Sequence, residues 1–591
     1  LYVLAYLAGG FDIARHSLKA VLHLRFDIDF LMIVAAIGAA IVGEWPEGAF
    51  LLFLFSLGHA LEHYATGRAR RAIRALGEIT PKTARVLRDS REQELPVEKL
   101  ERGDLVIVRN GERIPVDGVI KDGRSAIDQS PITGESMPVE KQEGDDVFAG
   151  SVNGDGALEI EVTKLAKDTT LARVVQMVEE AQTQKSPTQR FTEKFESRFV
   201  PAILIAVIAM ILTPPLIGWL SWKVAFLRAM AMLVAASPCA LAIATPSAVL
   251  SGIARAARTG VLIKGGVYLE NLGTLKAIAF DKTGTITRGE PAVTDIMTLN
   301  GIAEEALLQV AAAVESRSGH PLAQAIVREA EKRGIDYPEA DEMTAITGRG
   351  VRALVNGETI HIGNLKLFTE MDGEVPDEVA SEVQEFEAAG KTTMVVRQGG
   401  KFIGVIDLAD QPRAEAKSTL SQLKQIGIKA LIMITGDNQR VAAAIAEKVG
   451  LTEYKANLLP EDKVSAIKEI QDGGQMVAMV GDGVNDAPAM KNATVGIAMG
   501  ASGADVALET ADVALMADDL SKLPFAVALS REARRTIKQN LVISLGVIAM
   551  LLPTAMLGLA SIGIAVIFHE GSTLLVVGNA LRLLRFQINQ L

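Results

Sequence analysis

The residues most suited to chemistry are Asp281-Lys282-Thr283-Gly284-Thr285, which follow the short apolar run 277–280. A run of that length ending in a polar, Gly-containing turn reads as a parallel strand. An aspartate at such a strand's C-terminal end lies in the crevice where these sheets bind ligands. The glycine and threonines after it offer N–H groups and hydroxyls to an anion, and a carboxylate can attack a γ-phosphoryl group and hold it covalently. Two more loops repeat the pattern: Thr435-Gly436-Asp437-Asn438 after 431–434, and Gly481-Asp482-Gly483-Val484-Asn485-Asp486-Ala487-Pro488 after 476–480. Aligned strands would bring all three loops to one edge. Their carboxylates would then need a counter-ion, and Mg²⁺ suits two carboxylates with phosphate oxygens. Lys463, between the second and third loops, could neutralise phosphoryl oxygens.

Other segments carry chemistry elsewhere. Thr133-Gly134-Glu135-Ser136 puts a glutamate on a Gly-flanked loop, where it could act as a general base toward water. Glu315, His320-Pro321 and Gly348-Arg349-Gly350 combine a histidine that can meet adenine with glycines that allow close backbone approach. No GxxxxGK[ST] sequence occurs, so ATP binding by that route is excluded.

Inside apolar stretches stand Ser237-Pro238-Cys239 and His569-Glu570-Gly571-Ser572-Thr573. Proline within a helix frees a carbonyl and bends the helix, which membranes tolerate where neighbours or an ion satisfy the backbone. Cys239, the one cysteine in the chain, offers a thiolate to a borderline-soft metal. An ionisable pair in a membrane helix is costly and usually functional. Thiolate, imidazole and carboxylate together make a site for Co²⁺, Zn²⁺ or a similar ion, with Ser237 and Thr573 as added ligands. A helix end facing water is the other reading of His569 and Glu570. Glu62, beside His59 and His63, reads equally as a ligand on the ion path or as an interfacial charge.

These residues need elements to hold them. Of 591 residues, 49% are hydrophobic and 22% charged, and the two classes are segregated. A span needs about 20 apolar residues; candidates lie at about 1–24, 30–42, 46–65, 200–220, 224–248, 541–560 and 561–578. In the first, Gly9-Gly10 would kink a helix whose second half, with Arg15, His16, Lys19, His23 and Arg25, reads as interfacial. Basic residues cluster at Arg68–Arg74, Arg255–Lys264 and Arg531–Lys538, which places the insertions near 75–195 and 260–535 in the cytoplasm. The chain starts at Leu1 inside an apolar run, without a cleavable leader, and a truncated chain with a helix missing upstream is expected. Residues 80–165, with short alternating runs such as 105–108, suggest a small β-rich domain. Residues 275–530 alternate strands and helices as a parallel sheet requires, with a separate α+β unit inserted at about 290–400. A net charge of −11 argues against a nucleic-acid partner, and one cysteine excludes an intrachain disulfide or a CxxC domain.

The DKTGT, TGDN and GDGVNDAP segments resemble the phosphorylation motifs of P-type ATPases on a haloacid-dehalogenase-like core. SPC and HEGST resemble the heavy-metal subgroup with SPC and HEG[GS]T motifs, associated with cobalt, zinc, cadmium or iron(II) export. The resemblance implies a multidomain polytopic α-helical membrane protein: transmembrane helices at 1–74, 196–260 and 531–591, a β-rich actuator domain at 75–195, a phosphorylation domain at 261–289 and 401–530, and a nucleotide-binding domain at 290–400. It implies that Asp281 is the phosphorylated nucleophile and that Asp281, Thr283 (through its carbonyl) and Asp482 bind Mg²⁺. Thr435 and Asp437 would hold phosphate, Lys463 would contact it, and Asn485 and Asp486 would complete the site. Glu135 would promote dephosphorylation, and Glu315, His320, Gly348 and Gly350 would contact ATP. The expected partners are a divalent transition metal and the lipid bilayer, in a monomer of the bacterial plasma membrane. A lone thiolate in place of a CPC pair argues against Cu⁺. Two rivals stay open: a pump for K⁺ or Ca²⁺, which would prefer oxygen ligands, and a non-transporting membrane phosphatase.

Overall fold

The computed structural model describes the chain except for residues 1, 4, 8, 12–27, 78–79, 89–90, 131–137, 174–175, 177–183, 347–348, 373–374, 389–390, 438, 483–485, 501–509, 517 and 589–591. The amphipathic second half of the segment expected from about residue 1, with Arg15, His16, Lys19, His23 and Arg25, lies outside the described residues. The chain divides into two compact units: Leu1–Thr274 with Asp512–Ala517 and Phe525–Leu591, and Leu275–Ala511 with Asp518–Pro524.

In the first unit, four helices among the described residues are long and apolar enough to cross a membrane: Pro187–Leu216, Trp222–Ala257, Lys522–Leu557 and Ile562–Arg585. The expected segment 30–42 lies in the shorter helix Ile28–Val42, and 46–65 in Trp45–Gly77. Ser186 caps the first of the four by accepting from the Gln189 N–H, with Pro187 just inside, where its missing N–H costs nothing. Trp222–Ala257 is the innermost: 72% of its apolar stretch is buried, against 28% for Pro187–Leu216 and for Lys522–Leu557. Its helix stops at Ala235 and restarts at Cys239, with Ala236, Ser237 and Pro238 at the break. Leu31, Met32, Leu51, Phe55, Met232, Leu233, Cys239 and Val566 share one core, so the break sits in the middle of packed helices.

The β-rich insertion of this unit forms a six-stranded antiparallel sheet. Its order is Arg91–Pro96, Thr83–Arg88, Leu105–Val108, Leu158–Val162, Gly118–Asp122, Asp146–Val147. Leu158, Ile160 and Val162 are buried while Glu159 and Glu161 are half-exposed, the period-2 pattern of a one-sided sheet. Asp117 is buried in this layer and accepts from the Ala149 N–H (2.9 Å), the Thr170 N–H (2.7 Å) and the Thr170 hydroxyl (2.7 Å).

The second unit contains five parallel strands in the order Val495–Ala498, Val477–Gly481, Ala277–Asp281, Ala430–Ile434, Glu453–Lys455. Three of them, Ala277–Asp281, Ala430–Ile434 and Val477–Gly481, match the expected strands to within about a residue, and the other two had no sequence expectation. Between the central strand and its partners is a six-stranded antiparallel sheet, ordered Thr287–Thr298, Lys401–Pro412, Thr392–Gln398, Glu358–Gly363, Gly350–Val355, Asp341–Ile346. Leu307, Leu308, Val314 and Ile326 from helices Glu304–Glu315 and Pro321–Lys332 pack on it. The strand Lys401–Pro412 pairs within this sheet, so the sheet runs past the expected boundary at 400. Period-2 patterning identifies a strand but not the sheet it joins.

Removing the Asp117 carboxylate leaves three buried donors unpaired. Asp117→Ala should therefore cost about 3 kcal/mol, seen as a lower melting temperature of the purified protein, and Asp117→Asn should cost less. An unchanged melting temperature in Asp117→Ala would contradict this role.

Candidate catalytic and metal sites

Strand register explains why the three loops converge. Asp281 is paired with Ile434 and Phe280 with Val480, so Thr435 and Gly481 follow at the same edge as the Asp281 carboxylate. The Lys463 ammonium, from helix Pro460–Asp472, sits 2.6 Å from Asp281 Oδ1 and 2.7 Å from Asp486 Oδ1. Thr435 is buried, and its hydroxyl accepts from the Asp437 N–H at 3.1 Å. Asp437 pairs with Lys282 at 2.6 Å. Thr283 has extended backbone angles, and Gly284 turns the loop with φ +71°, a left-handed conformation that glycine adopts without a Cβ penalty. The Asp482 Cβ lies 4.0 Å from where a Cβ on Gly284 would stand.

Burial, and then the neighbouring Asp486, push the Asp281 carboxyl above the usual carboxylate range, against Lys463. Burial likewise raises Asp486. Burial disfavours the Lys463 ammonium, but Asp281 and Asp486 outweigh it and hold the group protonated. The edge is short of positive charge, and Asp486 Oδ2 is buried with no hydrogen-bond partner among the described residues. Hard oxygen donors in excess of cations fit Mg²⁺.

Sequence reasoning missed Arg413 and Asp410. The Arg413 guanidinium donates to Thr285 O (3.0 Å), Gly284 O (3.0 Å) and Asp518 Oδ2 (2.5 Å). It thereby fixes the loop behind Asp281. Asp410 accepts from the Thr287 hydroxyl and from the Gly289 N–H. The one signal was Asp410-Gln411-Pro412-Arg413, a charged pair closing a long strand. Lys282, Asp410 and Asp437 line a cleft of about 390 Å³ with Lys391, Pro291 and Leu322 of the inserted sheet and its helices.

Of the residues expected to meet nucleotide, Glu315 is buried at the end of its helix, with Oε1 unpartnered among the described residues. Burial pushes its carboxyl up to about 7. His320 is exposed and caps Pro321–Lys332, its Nδ1 accepting from the Leu322 N–H at 3.3 Å. A Cβ on Gly350 would collide with Ile362 O and stand 2.6 Å from the Gly363 Cα, so pairing with Glu358–Gly363 alone demands a glycine there. Gly348, Glu135 and Asn485 lie outside the described residues.

The membrane residues come together. Ligand atoms of Cys239, His569 and Glu570 lie within 4.8 Å of one another, all buried. The Ser237 hydroxyl is 3.3 Å from Cys239 Sγ, and His569 Nε2 is 3.9 Å from Glu570 Oε1. His569 Nε2 has no hydrogen-bond partner among the described residues. Both residues lie inside Ile562–Leu581 rather than at its end, which removes the reading of a pair facing water. Thr573 is buried, with its hydroxyl donating to His569 O at 3.3 Å. The backbone of Glu62 lies in Trp45–Gly77, and its side chain is not among those described.

Known proteins resemble this chain. Residues 275–494 match the haloacid dehalogenase-like hydrolase family and residues 78–179 the P-type ATPase actuator domain. A probable cadmium-transporting ATPase of Alkalihalophilus pseudofirmus is 45% identical over 99% of this chain and 82% of its own length. The zinc-transporting ATPase of Bacillus subtilis is 44% identical over 99% of this chain and 91% of its own. The crystal structure of a zinc-transporting PIB-type ATPase in the E2.Pi state is 42% identical, with TM-score 0.67, covering 99% of this chain and 95% of that one.

The raised Glu315 carboxyl has a pH signature. It binds a proton in the folded protein up to about pH 7 but an unfolded glutamate releases it near pH 4.5. Stability is therefore lost as pH rises through that window and is level above it. Glu315→Gln lacks this slope, so its stability should gain on wild type between pH 5 and 7, by up to about 3 kcal/mol, read as a widening difference in melting temperature with no further gain above. A constant difference across that range would refute the assignment.

Proposed function

The chain belongs to the heavy-metal branch of the P-type ATPases, and from that premise we propose that it exports a divalent transition-metal cation, using a phosphoryl group carried transiently on Asp281. The observation that carries the choice of cargo is the buried grouping of Cys239, His569 and Glu570. One thiolate, one imidazole and one carboxylate suit borderline ions of the Zn²⁺, Cd²⁺ or Co²⁺ kind better than K⁺, Ca²⁺ or Cu⁺. The names of the relatives favour cadmium and zinc. Ser237 and Thr573 would add oxygen ligands.

ATP is the phosphoryl donor in this reading. Glu315, His320, Gly348 and Gly350 bind its base and ribose, and the cleft toward Lys282 leads its phosphates to Asp281. An Asp281 carboxylate oxygen attacks the γ-phosphorus while the bond to the bridging oxygen breaks and ADP departs. Lys463, already 2.6 Å from that carboxylate, offsets charge on the phosphoryl oxygens, and Thr435 and Asp437 hold them. When bound, Mg²⁺ supplies further charge neutralisation, with Asp281, the Thr283 carbonyl and Asp482 as its holders and Asn485 and Asp486 beside them. For release, Glu135 takes a proton from water as the water oxygen attacks phosphorus, the bond to Asp281 breaks, and phosphate leaves. Ion entry is from the cytoplasmic side and release is to the outside. One chain carries every group invoked, which supports a monomer.

Purified protein in lipid should show ATPase activity stimulated by Zn²⁺, Cd²⁺ or Co²⁺ and not by K⁺ or Ca²⁺. Asp281→Asn should abolish turnover and hydroxylamine-sensitive labelling from the γ-phosphate of ATP. Cys239→Ala and Glu570→Ala should lose the metal stimulation. Wild-type turnover by Asp281→Asn would end the proposal.

A further inference from the structure

Glycine weakens a helix interior, so one placed deep in a packed helix calls for a reason. Trp45–Gly77 contains Gly48, Gly58, Gly67 and the terminal Gly77. A Cβ at Gly67 would meet nothing within 4 Å, and one at Gly48 would meet the Tyr6 ring. A Cβ at Gly58 would fall inside contact distance of Glu570 Oε2 and 3.1 Å from its Cδ. The carboxylate of Glu570 thus rests on the bare backbone of Gly58, and from there its oxygen lies within 4.8 Å of the Cys239 and His569 ligand atoms. Glu570 is buried, so it has little other space to take.

We propose that Gly58 is a positioning residue of the transported-ion site: its missing side chain forms the notch that holds the Glu570 carboxylate against Cys239 and His569. This rests on the reading of those three residues as the ion site. The clash that any side chain would introduce falls on the far end of a flexible glutamate, not on backbone. An alanine there should leave the helix folded and move the carboxylate. Glu62 follows one helical turn after Gly58, so the same helix joins the notch to the Glu62 region.

The test measures Cd²⁺ affinity of the purified full chain by competition with a chelating dye, alongside Asp281 labelling by inorganic phosphate. Gly58→Ala should weaken Cd²⁺ binding about tenfold or more, the scale for disturbing what orients a metal ligand. Gly67→Ala should bind as wild type, and phosphate labelling should persist in both. Glu570→Asp draws the carboxylate back by one methylene, so adding Gly58→Ala to it should cost less than about twofold, the non-additivity of residues acting through one contact. Should Gly58→Ala alone fail to fold, the pair decides: Gly58→Ala/Glu570→Asp must fold and bind like Glu570→Asp. Unchanged affinity in Gly58→Ala, with affinity lost in Glu570→Ala, overturns the notch and leaves the ion site standing. Unchanged affinity in Glu570→Ala overturns the ion site itself and the notch with it. A further large loss in the paired variant also overturns the notch.

Discussion

A lysine ammonium between two buried carboxylates sets the terms for the catalytic unit. Lys463 bridges Asp281 and Asp486, and burial would otherwise leave two like charges facing each other in a poor dielectric. The arrangement is stable enough to form and still under-compensated, because one cation faces more than one carboxylate. That deficit suits the proposed roles of the edge, since a divalent cation would relieve it. The register of three parallel strands makes it possible, since Asp281, Thr435 and Gly481 leave the sheet at one level. Arg413 then ties the carbonyls of Gly284 and Thr285 in place, which fixes the loop that follows Asp281.

The membrane site follows a related logic in a harsher solvent. A helix that stops at Ala235 and restarts at Cys239 gives up backbone hydrogen bonds where lipid could not replace them. Its enclosure by neighbouring helices makes the break tolerable, and the break puts Cys239 at the start of a new helix facing His569 and Glu570. Burying imidazole and carboxylate together is costly, and a cation held between them and the thiolate would offset that cost.

Much of this was legible in sequence because it is local. The strands before Asp281, Thr435 and Asp482 announced themselves as apolar runs ending in Gly-rich turns, and the Ser237-Pro238-Cys239 break as a proline in an apolar helix. What was not legible joins distant positions. Arg413 reaches Thr285 across 128 residues, and no periodicity encodes that. Glu570 lies on Gly58 from the other end of the chain. Lys401–Pro412 pairs with Thr287–Thr298 across more than a hundred residues, and period-2 patterning does not name that partner. Gly350 was read as making room for a nucleotide, and the neighbouring strand requires a glycine there for a second reason that no local pattern announces.

The central claim is that one sulfur, one imidazole nitrogen and carboxylate oxygen hold the transported ion within the membrane helices. X-ray absorption at the zinc edge, on purified protein loaded with one equivalent of Zn²⁺, tests it most directly. The account predicts a first shell with one sulfur near 2.3 Å and nitrogen or oxygen near 2.0 Å, and a shell without sulfur in Cys239→Ala. A wild-type shell of oxygen alone, or one unchanged by loss of Cys239, would contradict it.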